Sequence, residues 1–324
     1  MIVILYGTYA ARQAARLRNL LGASFEIIPV YESGISCEIR SILAGTEILV
    51  TNRYGRQDPP LLSLRLLQSP SAGLEGIDQE VLPPGCEVLT VHGHGIAIAE
   101  YVLCTMLDWS IGFRRLTTTF DHGEWNQEYW IKGPVHQEVY KKKVGVIGYG
   151  EVGKEIVRRA SAFGMEVVVL SHWSSAKPPA EVTHSFSADE YKEFLADLDF
   201  VVVCVPLTPE THSLINASWF DAMKSTAVLI NVSRGPVVSE KDLFHALSVR
   251  LIGGAVIDVW YEYPTPDMDS VPAAHYPFRA LDNIVMTNHA SARTEGVFAR
   301  RWDEIANNIR RVANVKKDTP SHVL

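Results

Sequence analysis

Cysteine is scarce in this sequence, and its pattern excludes two kinds of site. Only four cysteines occur in 324 residues, with no CxxC pair and no metal-ligand spacing: Cys37, Cys86, Cys104 and Cys204. Such a pattern is typical of free thiols in a reducing compartment, because disulfide scaffolds and thiolate metal sites need paired cysteines. His92 and His94 form an HxH pair, but no third ligand is apparent, so we expect no bound metal.

The sequence also has fewer basic than acidic residues, and it has no long apolar run. The 30 lysines and arginines against 37 acidic residues give a net charge of −7, and no predicted helix carries a basic stripe. This balance argues against nucleic-acid binding. The longest apolar helical stretch, Gly95 to Leu107, is too short to span a membrane, and the first residues, MIVILYG, predict a strand rather than a signal peptide. We therefore expect a cytoplasmic protein with neither a nucleic-acid nor a membrane partner.

The length exceeds the roughly 100–200 residues of one domain, so we expect two domains. Strand and helix signals alternate through residues 1–90 and again from residue 144 to 287, which predicts α/β domains with parallel sheets. Predicted helices include 10–21, 35–43, 95–116 and an amphipathic one over 294–316, and Ser187 and Ser239 are expected to cap two more. An irregular arm with exposed aromatics is predicted over 117–140. Such an arm is typical of a surface that covers another subunit, so we expect a homodimer.

The chain is organised around the stretch from Lys141 to Gly153, KKKVGVIGYGEVG. Val144 to Ile147 predicts a buried strand, apolar residues at helical spacing follow through Phe163, and Gly164 precedes another apolar run, Met165 to Leu170. This order of strand, glycine turn, helix and strand is typical of a dinucleotide-binding βαβ unit.

Three glycines in that stretch have GxGxxG spacing, and each has a physical task in a dinucleotide site. Gly148 permits the tight turn, Gly150 lets the backbone approach a pyrophosphate, and Gly153 lets helix and strand pack closely. The helix that follows directs its N–H groups and the positive end of its dipole at the phosphates. The sequence therefore predicts a dinucleotide cofactor.

Three polar residues stand at the ends of three later apolar strands. Arg234 follows LINVS, Asp258 follows GGAVI, and His289 follows IVMTN. Singly, each has an ordinary reading as a surface charge, a turn former or a partly buried histidine. Because the carboxyl ends of parallel strands gather at one edge of a sheet, their shared placement favours a functional site beside the cofactor.

At these residues the sequence resembles a known family. Five segments match, in order and interval, the signatures of the D-isomer-specific 2-hydroxyacid dehydrogenases: GYGEVG at 148–153, VPLTPET at 205–211, NVSRG at 231–235, DVW at 258–260 and HAS at 289–291. The resemblance covers nearly the whole chain. It implies a Rossmann-type doubly wound parallel sheet over 96–291 as the NAD(P)-binding domain. It also implies a flavodoxin-like α/β substrate domain made of 1–95 plus 292–324.

The resemblance also implies a reaction and its residues. The reaction is hydride transfer between NAD(P)(H) and a small 2-oxo or 2-hydroxy acid, as in a D-2-hydroxyacid dehydrogenase or a glyoxylate/hydroxypyruvate reductase. Arg234 would bind the substrate carboxylate and polarise the C2 oxygen, and His289 would exchange a proton with that oxygen. Asp258 would hold the nicotinamide carboxamide. Further residues implied at the cofactor, besides the three glycines, are Tyr149, Glu151, Val152, Val205, Pro206, Thr211, Val232 and Ser233.

Two turns of the first domain are implied at the substrate. One follows a predicted strand and contains Tyr54 and Gly55, and the other supplies the backbone of Leu74, Glu75 and Gly76. Open α/β sheets bind ligands outside the carboxyl ends of their strands, which is where the first of these turns stands.

The sequence departs from the family at the partner of the catalytic histidine. Most members carry a glutamate five residues after the aspartate, and it pairs with the histidine and raises its pKa. Tyr263 occupies that position here and Glu262 precedes it, so both are candidate catalytic partners of His289. The run WYEYP, lengthened by a loop to Phe278, is closer to the formate dehydrogenase branch, where an amide replaces the glutamate.

A second departure concerns the choice of cofactor. An acidic residue after the strand that ends at Leu170 would bind the ribose 2′-hydroxyl and repel a 2′-phosphate, but Ser171 and His172 stand there. We therefore expect NADPH to be accepted at least as well as NADH.

Two alternatives remain from the sequence. The chain could abstract hydride from a one-centre anion such as formate or phosphite. It could also be a dinucleotide-sensing binding protein, although the presence of both Arg234 and His289 favours catalysis because a sensor needs neither.

Overall fold

The computed structural model describes residues 1–31, 37–123, 125–171, 179–265, 268 and 270–315. It divides the chain into two compact units. The first is Met1–Gly93 with Thr294–Leu324, and the second is His94–Arg293. Each unit contains one wholly parallel sheet, so the α/β prediction is confirmed.

The first unit is built on a five-stranded sheet of order β2-β1-β3-β4-β5. This order is that of flavodoxin-like folds, as the sequence led us to expect. The elements, in chain order, are β1 (Ile2–Tyr6), α1 (Thr8–Ala11), α2 (Ala14–Leu21), β2 (Glu26–Val30), α3 (Cys37–Ala44), β3 (Ile48–Val50), β4 (Leu66–Gln68), β5 (Glu87–Leu89) and, after the second unit, α11 (Glu295–Val315).

The C-terminal helix α11 completes the core of the first unit. Its apolar stripe of Trp302, Ile305 and Ile309 is buried with Leu17 of α2 and Val3 of β1. Polar contacts align it along the sheet, because Asn308 Nδ2 donates to Gln68 Oε1 at 2.9 Å and Arg65 Nη2 donates to the carbonyl of Val312 at 3.0 Å. A helix 21 residues long with one apolar stripe needs such a surface to bury that stripe.

The second unit is built on a seven-stranded sheet of order β12-β11-β10-β9-β6-β7-β8. Read from β8, this is the doubly wound Rossmann order, which confirms the prediction. Its elements are α4 (Gly95–Ile111), α5 (Phe113–Asp121), α6 (Gln127–Lys132), β6 (Lys143–Ile147), α7 (Glu151–Ala162), β7 (Glu166–Leu170), β8 (His184–Phe186), α8 (Tyr191–Leu195), β9 (Phe200–Val203), α9 (Ala217–Ala222), β10 (Val228–Asn231), α10 (Glu240–Ser248), β11 (Gly254–Ile257) and β12 (Ile284–Met286).

The central strands of this sheet are buried on both faces. β9, β10 and β11 are buried at every position, which explains why their sequences read as continuous apolar runs rather than as alternating patterns. All seven strands are parallel, so their carboxyl ends lie along one edge of the second unit. The strand order reverses between β6 and β9, and that switch point is where such sheets bind ligands.

Several predicted elements have different bounds. The helix predicted over 10–21 is two helices, and the one predicted over 95–116 ends at Ile111 because Gly112 adopts a left-handed conformation with φ of 68°. The arm over 117–140 was predicted to be irregular, but it contains most of α5 and all of α6. Asn126 caps α6, because its side chain accepts from the N–H of Tyr129. Strands β4, β5 and β8, each three residues long, were missed.

The two predicted serine caps differ in outcome. Ser187 forms a capping box with Glu190, but at the start of a short 3₁₀ turn rather than of an α-helix. Ser239 occupies the N-cap position of α10, yet its side chain makes no capping hydrogen bond. In the described part of the chain no single helix is long and apolar enough to cross a membrane. One pair bent by 51°, Gly95–Ile111 with Arg115–Asp121, passes that test only when the two are counted together.

Candidate active site

The glycine turn between β6 and α7 lies at the switch point of the second sheet. Gly148 has φ of 98°, and a Cβ at this position would lie 2.9 Å from Val205 Cγ1. A Cβ at Gly153 would collide with the carbonyl oxygen of Gly148, whereas a Cβ at Gly150 would meet nothing within 4 Å. The backbone therefore needs glycine at 148 and 153 for its own packing. At Gly150, the N-cap of α7, glycine instead keeps space open in front of the helix.

Several side chains next to this turn make contacts within the protein. Glu151 Oε1 accepts from the N–H of Gly95 at 3.3 Å, and Val152 packs against the core under α7. Lys154 Nζ lies 5.8 Å from the centre of the Tyr149 ring. Cys204 lies below the turn with its Sγ 3.2 Å from the carbonyl of Gly148, and desolvation raises the pKa of this thiol to about 12. This cysteine therefore stays a neutral thiol.

Ser171, the residue predicted to contact the ribose of the cofactor, directly follows β7. Ser171 donates its N–H to the carbonyl of Phe186, and its hydroxyl oxygen is buried without a hydrogen-bond partner among the described residues. An unpaired buried hydroxyl costs free energy unless a ligand or water pairs with it. His172 lies outside the described residues.

The loop after β9 folds back on itself beside the glycine turn. Thr211 Oγ1 donates to the carbonyl of Pro206 at 2.6 Å and accepts from the N–H of Thr208 at 2.7 Å. The loop after β10 is more deeply buried, since Val232 and Ser233 are each 7% exposed. Ser233 Oγ donates to Asn231 Oδ1 at 2.9 Å, so this side chain is already engaged within the protein.

Arg234 follows in an extended conformation that is fixed from both sides. Its carbonyl accepts from Asn231 Nδ2 at 3.1 Å, and its Nη1 donates to the carbonyl of Ser233 at 2.9 Å. The next residue must be Gly235, because a Cβ there would collide with the carbonyl of Trp260. This close approach of two backbones holds the arginine beside the loop that follows β11.

His289 stands at the end of β12 in a left-handed conformation with φ of 56°. Its Nδ1 lies 2.9 Å from the hydroxyl oxygen of Tyr263, which also accepts from the N–H of Trp260 at 3.1 Å. Of the two candidate partners, the structure thus brings Tyr263 to the histidine. The carboxylate of Glu262 is directed to His275 instead, at 3.6 Å from Nε2.

His275 itself belongs to the surface. Its Nδ1 lies 2.8 Å from Glu240 Oε2, and this hydrogen bond is the main reason that the pKa of His275 is raised. A cavity of about 1080 Å³ opens beside His289 and Tyr263 and is lined mostly by the loop between β11 and β12. The long loop noted in the sequence therefore forms a wall next to the histidine.

Asp258 is fully buried and is bonded to the turn that carries the histidine. Its Oδ1 accepts from Thr287 Oγ1 at 2.5 Å and from the N–H of Ala290 at 2.8 Å, while Oδ2 accepts from the N–H of Ser291 at 3.0 Å. The role predicted for it, holding a carboxamide, stays a prediction. In this structure the carboxylate already has three donors and no exposed surface.

The predicted substrate turns lie in the first unit. The Tyr54 ring is buried in its core and its hydroxyl donates to the carbonyl of Pro59 at 2.8 Å. The backbone N–H of Tyr54 donates to the carbonyl of Gly76 and its carbonyl accepts from the N–H of Asp78, so Tyr54 is engaged within the protein. Gly55 donates its N–H to Asp58 Oδ2. Gly76 is required by a close approach, because a Cβ there would collide with the carbonyl of Asn52. Just before it, Leu74 is half-buried and Glu75 is exposed.

Sequence reasoning missed two residues near the histidine, Thr287 and Tyr101. The Tyr101 hydroxyl lies 2.6 Å from Thr287 Oγ1. A polar residue at the end of a strand was the available signal for Thr287. Tyr101 gave none, because its ring fits the apolar pattern of α4. Among the described residues no three histidine, cysteine or acidic side chains are grouped to hold a metal, and His92 Nδ1 lies 2.7 Å from Glu304 Oε1.

These residues fit a dinucleotide. The turn leaves open space at Gly150 before a helix N-terminus, and a buried hydroxyl at Ser171 lacks a partner among the described residues. Arg234, Asp258 and His289 follow neighbouring strands β10, β11 and β12 on the same edge.

Comparison with known proteins places this geometry in a family. Residues 103–291 match the family described as "D-isomer specific 2-hydroxyacid dehydrogenase, NAD binding domain". A D-3-phosphoglycerate dehydrogenase of Methanocaldococcus jannaschii is 31% identical over 254 residues, which are 77% of this chain and 45% of that protein. A glyoxylate reductase of Thermococcus kodakarensis is 34% identical over 193 residues, 58% of this chain and 54% of that enzyme. The chain thus spans about half the length of the curated relatives it matches.

Solved structures agree in fold. A D-isomer specific 2-hydroxyacid dehydrogenase family protein from Aeromonas salmonicida aligns with a TM-score of 0.77 at 24% identity, covering 98% of this chain and 96% of that one. An NADPH-dependent glyoxylate/hydroxypyruvate reductase from Sinorhizobium meliloti, in complex with NADP and sulfate, aligns with a TM-score of 0.73 at 22% identity, covering 100% and 98%. At these identities the likeness shows the fold alone.

The glycine turn yields a prediction that separates binding from folding. In Gly150→Ala the methyl group enters open space, so thermal stability should stay near wild type while dinucleotide affinity falls by about tenfold or more. In Gly153→Ala the methyl group displaces α7, and the free energy of unfolding should fall by about 1–3 kcal/mol. Thermal unfolding and fluorescence titration with NADH and NADPH measure the two effects. Wild-type affinity in Gly150→Ala would contradict a pyrophosphate at this turn.

Proposed function

Because the chain belongs to the D-isomer specific 2-hydroxyacid dehydrogenase family, we propose that it is an NAD(P)-dependent oxidoreductase of a small 2-oxo or 2-hydroxy acid. The observation that carries the proposal is that Arg234 and His289 follow β10 and β12 on the sheet edge that also bears the glycine turn. In the reducing direction a 2-oxo acid, a reduced nicotinamide dinucleotide and a proton give the 2-hydroxy acid and the oxidised dinucleotide.

A dinucleotide bound at the glycine turn supplies or accepts the hydride in this class of reaction. The protein would hold its pyrophosphate with backbone N–H groups at the start of α7 and its ribose near Ser171. Since Val232 and Ser233 are almost fully buried, these residues would meet it through their backbone. Val205, Pro206 and Thr211 would form the opposite wall of the turn.

Arg234 binds the carboxylate of the acid in this proposal. A guanidinium presents a planar fork of donors that matches a carboxylate, and its remaining N–H groups polarise the neighbouring C2 oxygen. Its backbone is held by Asn231 and by the close contact of Gly235 with Trp260, so the fork is presented from a rigid loop. The backbone of residues 74–76 in the first unit stays a proposed substrate contact.

His289 exchanges the proton with the C2 oxygen. Nδ1 is bonded to Tyr263, so we assign Nε2 to the substrate. In the reducing direction the protonated ring donates from Nε2, and Nδ1–H then donates to the phenol oxygen. A phenol can accept that bond and can also donate to an unprotonated Nδ1, whereas a carboxylate can only accept.

The second candidate function is hydride abstraction from formate or phosphite. The observation that favours it is the uncharged partner of His289, since such a reaction needs no strong proton relay. The proposed 2-oxo acid reaction remains the better supported, because it uses both Arg234 and His289.

We also propose that the protein acts as a homodimer. Large apolar side chains are exposed on the arm, among them Trp125 (72%) and Trp130 (79%), and Phe113 (68%) is exposed shortly before it. A mainly apolar cavity of about 800 Å³ lies along α4 and is lined by Leu107, Trp109 and Phe113. Apolar surface of this extent is usually covered by a partner, and a second copy would cover both arms at once. Light scattering tests it, with 36.0 kDa expected for one chain and twice that for the dimer.

The activity is tested by a panel of 2-oxo acids with NADH and NADPH, beside formate and phosphite with the oxidised forms. Wild type should reduce at least one 2-oxo acid.

Arg234→Lys should lose more than tenfold in kcat/KM, which is about 1.4 kcal/mol, because lysine lacks the fork. His289→Ala should lose on the order of 10²–10⁴ in kcat, the usual contribution of a positioned acid. Tight cofactor binding without turnover would support a sensor instead, and formate oxidation that survives His289→Ala would support the second candidate.

Tyr263 generates a prediction about pH. Loss of the proton from His289 should abolish reduction, so the rate falls as pH rises through that titration. Tyr263→Glu places a carboxylate at Nδ1, which stabilises the charged ring, and should move this fall to higher pH by on the order of one unit. Tyr263→Phe should lower kcat by about tenfold without such a shift. Profiles of kcat against pH from 5 to 10 measure both, and an unchanged midpoint in Tyr263→Glu would count against the pairing.

The choice of cofactor is proposed to lean toward NADP. β7 ends at Leu170 and the next residue is Ser171, where an acidic residue would repel a 2′-phosphate. We expect kcat/KM with NADPH to be at least equal to that with NADH, and Ser171→Asp to reverse the order by about tenfold or more. Ser171→Ala serves as the neutral control. If wild type prefers NADH tenfold, or if the aspartate leaves NADPH use intact, the 2′ position is read elsewhere.

A further inference from the structure

The buried carboxylate of Asp258 has no cationic partner within 4 Å among the described residues. Its negative charge is stabilised by three hydrogen-bond donors, which are the hydroxyl of Thr287 and the N–H groups of Ala290 and Ser291. A charge removed from water in this way is costly unless all its hydrogen bonds are made. Each of the three donors is therefore important for the geometry of the turn.

The chemistry of the groups determines which is the donor in the hydrogen bonds from Thr287 to Asp258 and from Tyr101 to Thr287. An ionised carboxylate only accepts, so Thr287 donates to Asp258 across 2.5 Å, a length typical of charge-assisted O–H···O⁻ bonds. The single proton of Thr287 is thereby used, and the hydroxyl of Tyr101, 2.6 Å away, must be the donor to Thr287. Burial raises the pKa of Tyr101 to about 12, so this phenol keeps its proton across the neutral range.

The series Tyr101, Thr287 and Asp258 ends on the turn that carries His289. The carboxylate binds the two N–H groups directly after the histidine, and the carbonyl of Asp258 accepts from the N–H of His289 at 2.9 Å. The histidine has φ of 56°, a left-handed conformation that is strained for a residue with a Cβ. Such a conformation persists only where surrounding bonds impose it.

The series also joins separate elements. Tyr101 belongs to α4, Thr287 follows β12, and Asp258 follows β11. The bonds thus connect a helix 17 residues long to the end of the sheet that bears the histidine. A short turn tied to both is better fixed than one held by its own backbone.

We propose that Tyr101 and Thr287 are positioning residues for His289, which act in series through the carboxylate of Asp258. The inference about rate rests on the proposed function, whereas the inference about the turn does not. Loss of either hydroxyl removes a donor from the series, and the turn over residues 289–291 then samples other conformations. Because the ring is misplaced rather than absent, kcat falls while cofactor binding is kept.

The central experiment compares Thr287→Val, Thr287→Ser and Thr183→Val. Valine keeps the shape of threonine without its hydroxyl, serine keeps the hydroxyl, and Thr183 donates to a neutral carbonyl, that of Val167, elsewhere in the same unit. Thr287→Val should lower kcat by about tenfold or more, the equivalent of about 1.4 kcal/mol, and leave KM for the cofactor within about twofold. Thr287→Ser should recover most of that loss, and Thr183→Val should match wild type.

Two double variants test whether the hydroxyls act in series on the histidine. In the His289→Ala background, Thr287→Val should cost less than about twofold more, since its effect passes through the missing ring. Tyr101→Phe should lower kcat on its own, but Tyr101→Phe with Thr287→Val should be no worse than Thr287→Val alone. Full additivity in either pair would overturn the proposal.

A readout without turnover separates this inference from the proposed function. Amide hydrogen exchange of the peptide over 287–293, measured without cofactor, should be faster in Thr287→Val and Tyr101→Phe than in wild type and Thr183→Val. If no 2-oxo acid is reduced but exchange responds in this way, the proposed function fails and the positioning of the turn stands. If exchange is unchanged in Thr287→Val, the positioning role is wrong, whatever the activity.

Discussion

The uniform parallel direction of seven strands is the constraint on which the second unit depends. It brings to one edge the glycine turn after β6, Arg234 after β10, Asp258 after β11 and His289 after β12. No local sequence preference could gather residues that are up to 141 positions apart, from Gly148 to His289. The buried strands do so because each crossover returns the chain to the end of the sheet where the strands begin, so that all seven strands finish at the same edge.

Close backbone contacts turn this edge into a site with fixed shape. Gly153 meets the carbonyl of Gly148, and Gly235 meets the carbonyl of Trp260, in both cases at distances that exclude a side chain. Gly150 differs, because the space in front of it is open. The same residue type thus serves protein packing at two positions and leaves room for a ligand at the third.

The partner of His289 is a phenol, not the carboxylate that the resemblance to the family led us to expect. A phenol at 2.9 Å from Nδ1 orients the ring but carries no negative charge at neutral pH, so it does not favour the protonated imidazole as a carboxylate does. The backbone of the turn that carries the histidine is held separately, by bonds from Asp258. The ring of His289 is thus oriented by a tyrosine, and its backbone is held by a buried aspartate.

The sequence by itself determined the fold class, the glycine turn and the strand-end residues, because each rests on local patterns: buried apolar runs, GxGxxG spacing and short family signatures. It left open whether Glu262 or Tyr263 meets His289, since adjacent residues differ only in the direction of their side chains. Only the tertiary structure decided that Tyr263 meets the histidine, that the Tyr54 ring lies in the core, and that Tyr101 reaches Thr287 from 186 residues away. Such contacts are set by the packing of distant elements, which no local pattern in the chain records.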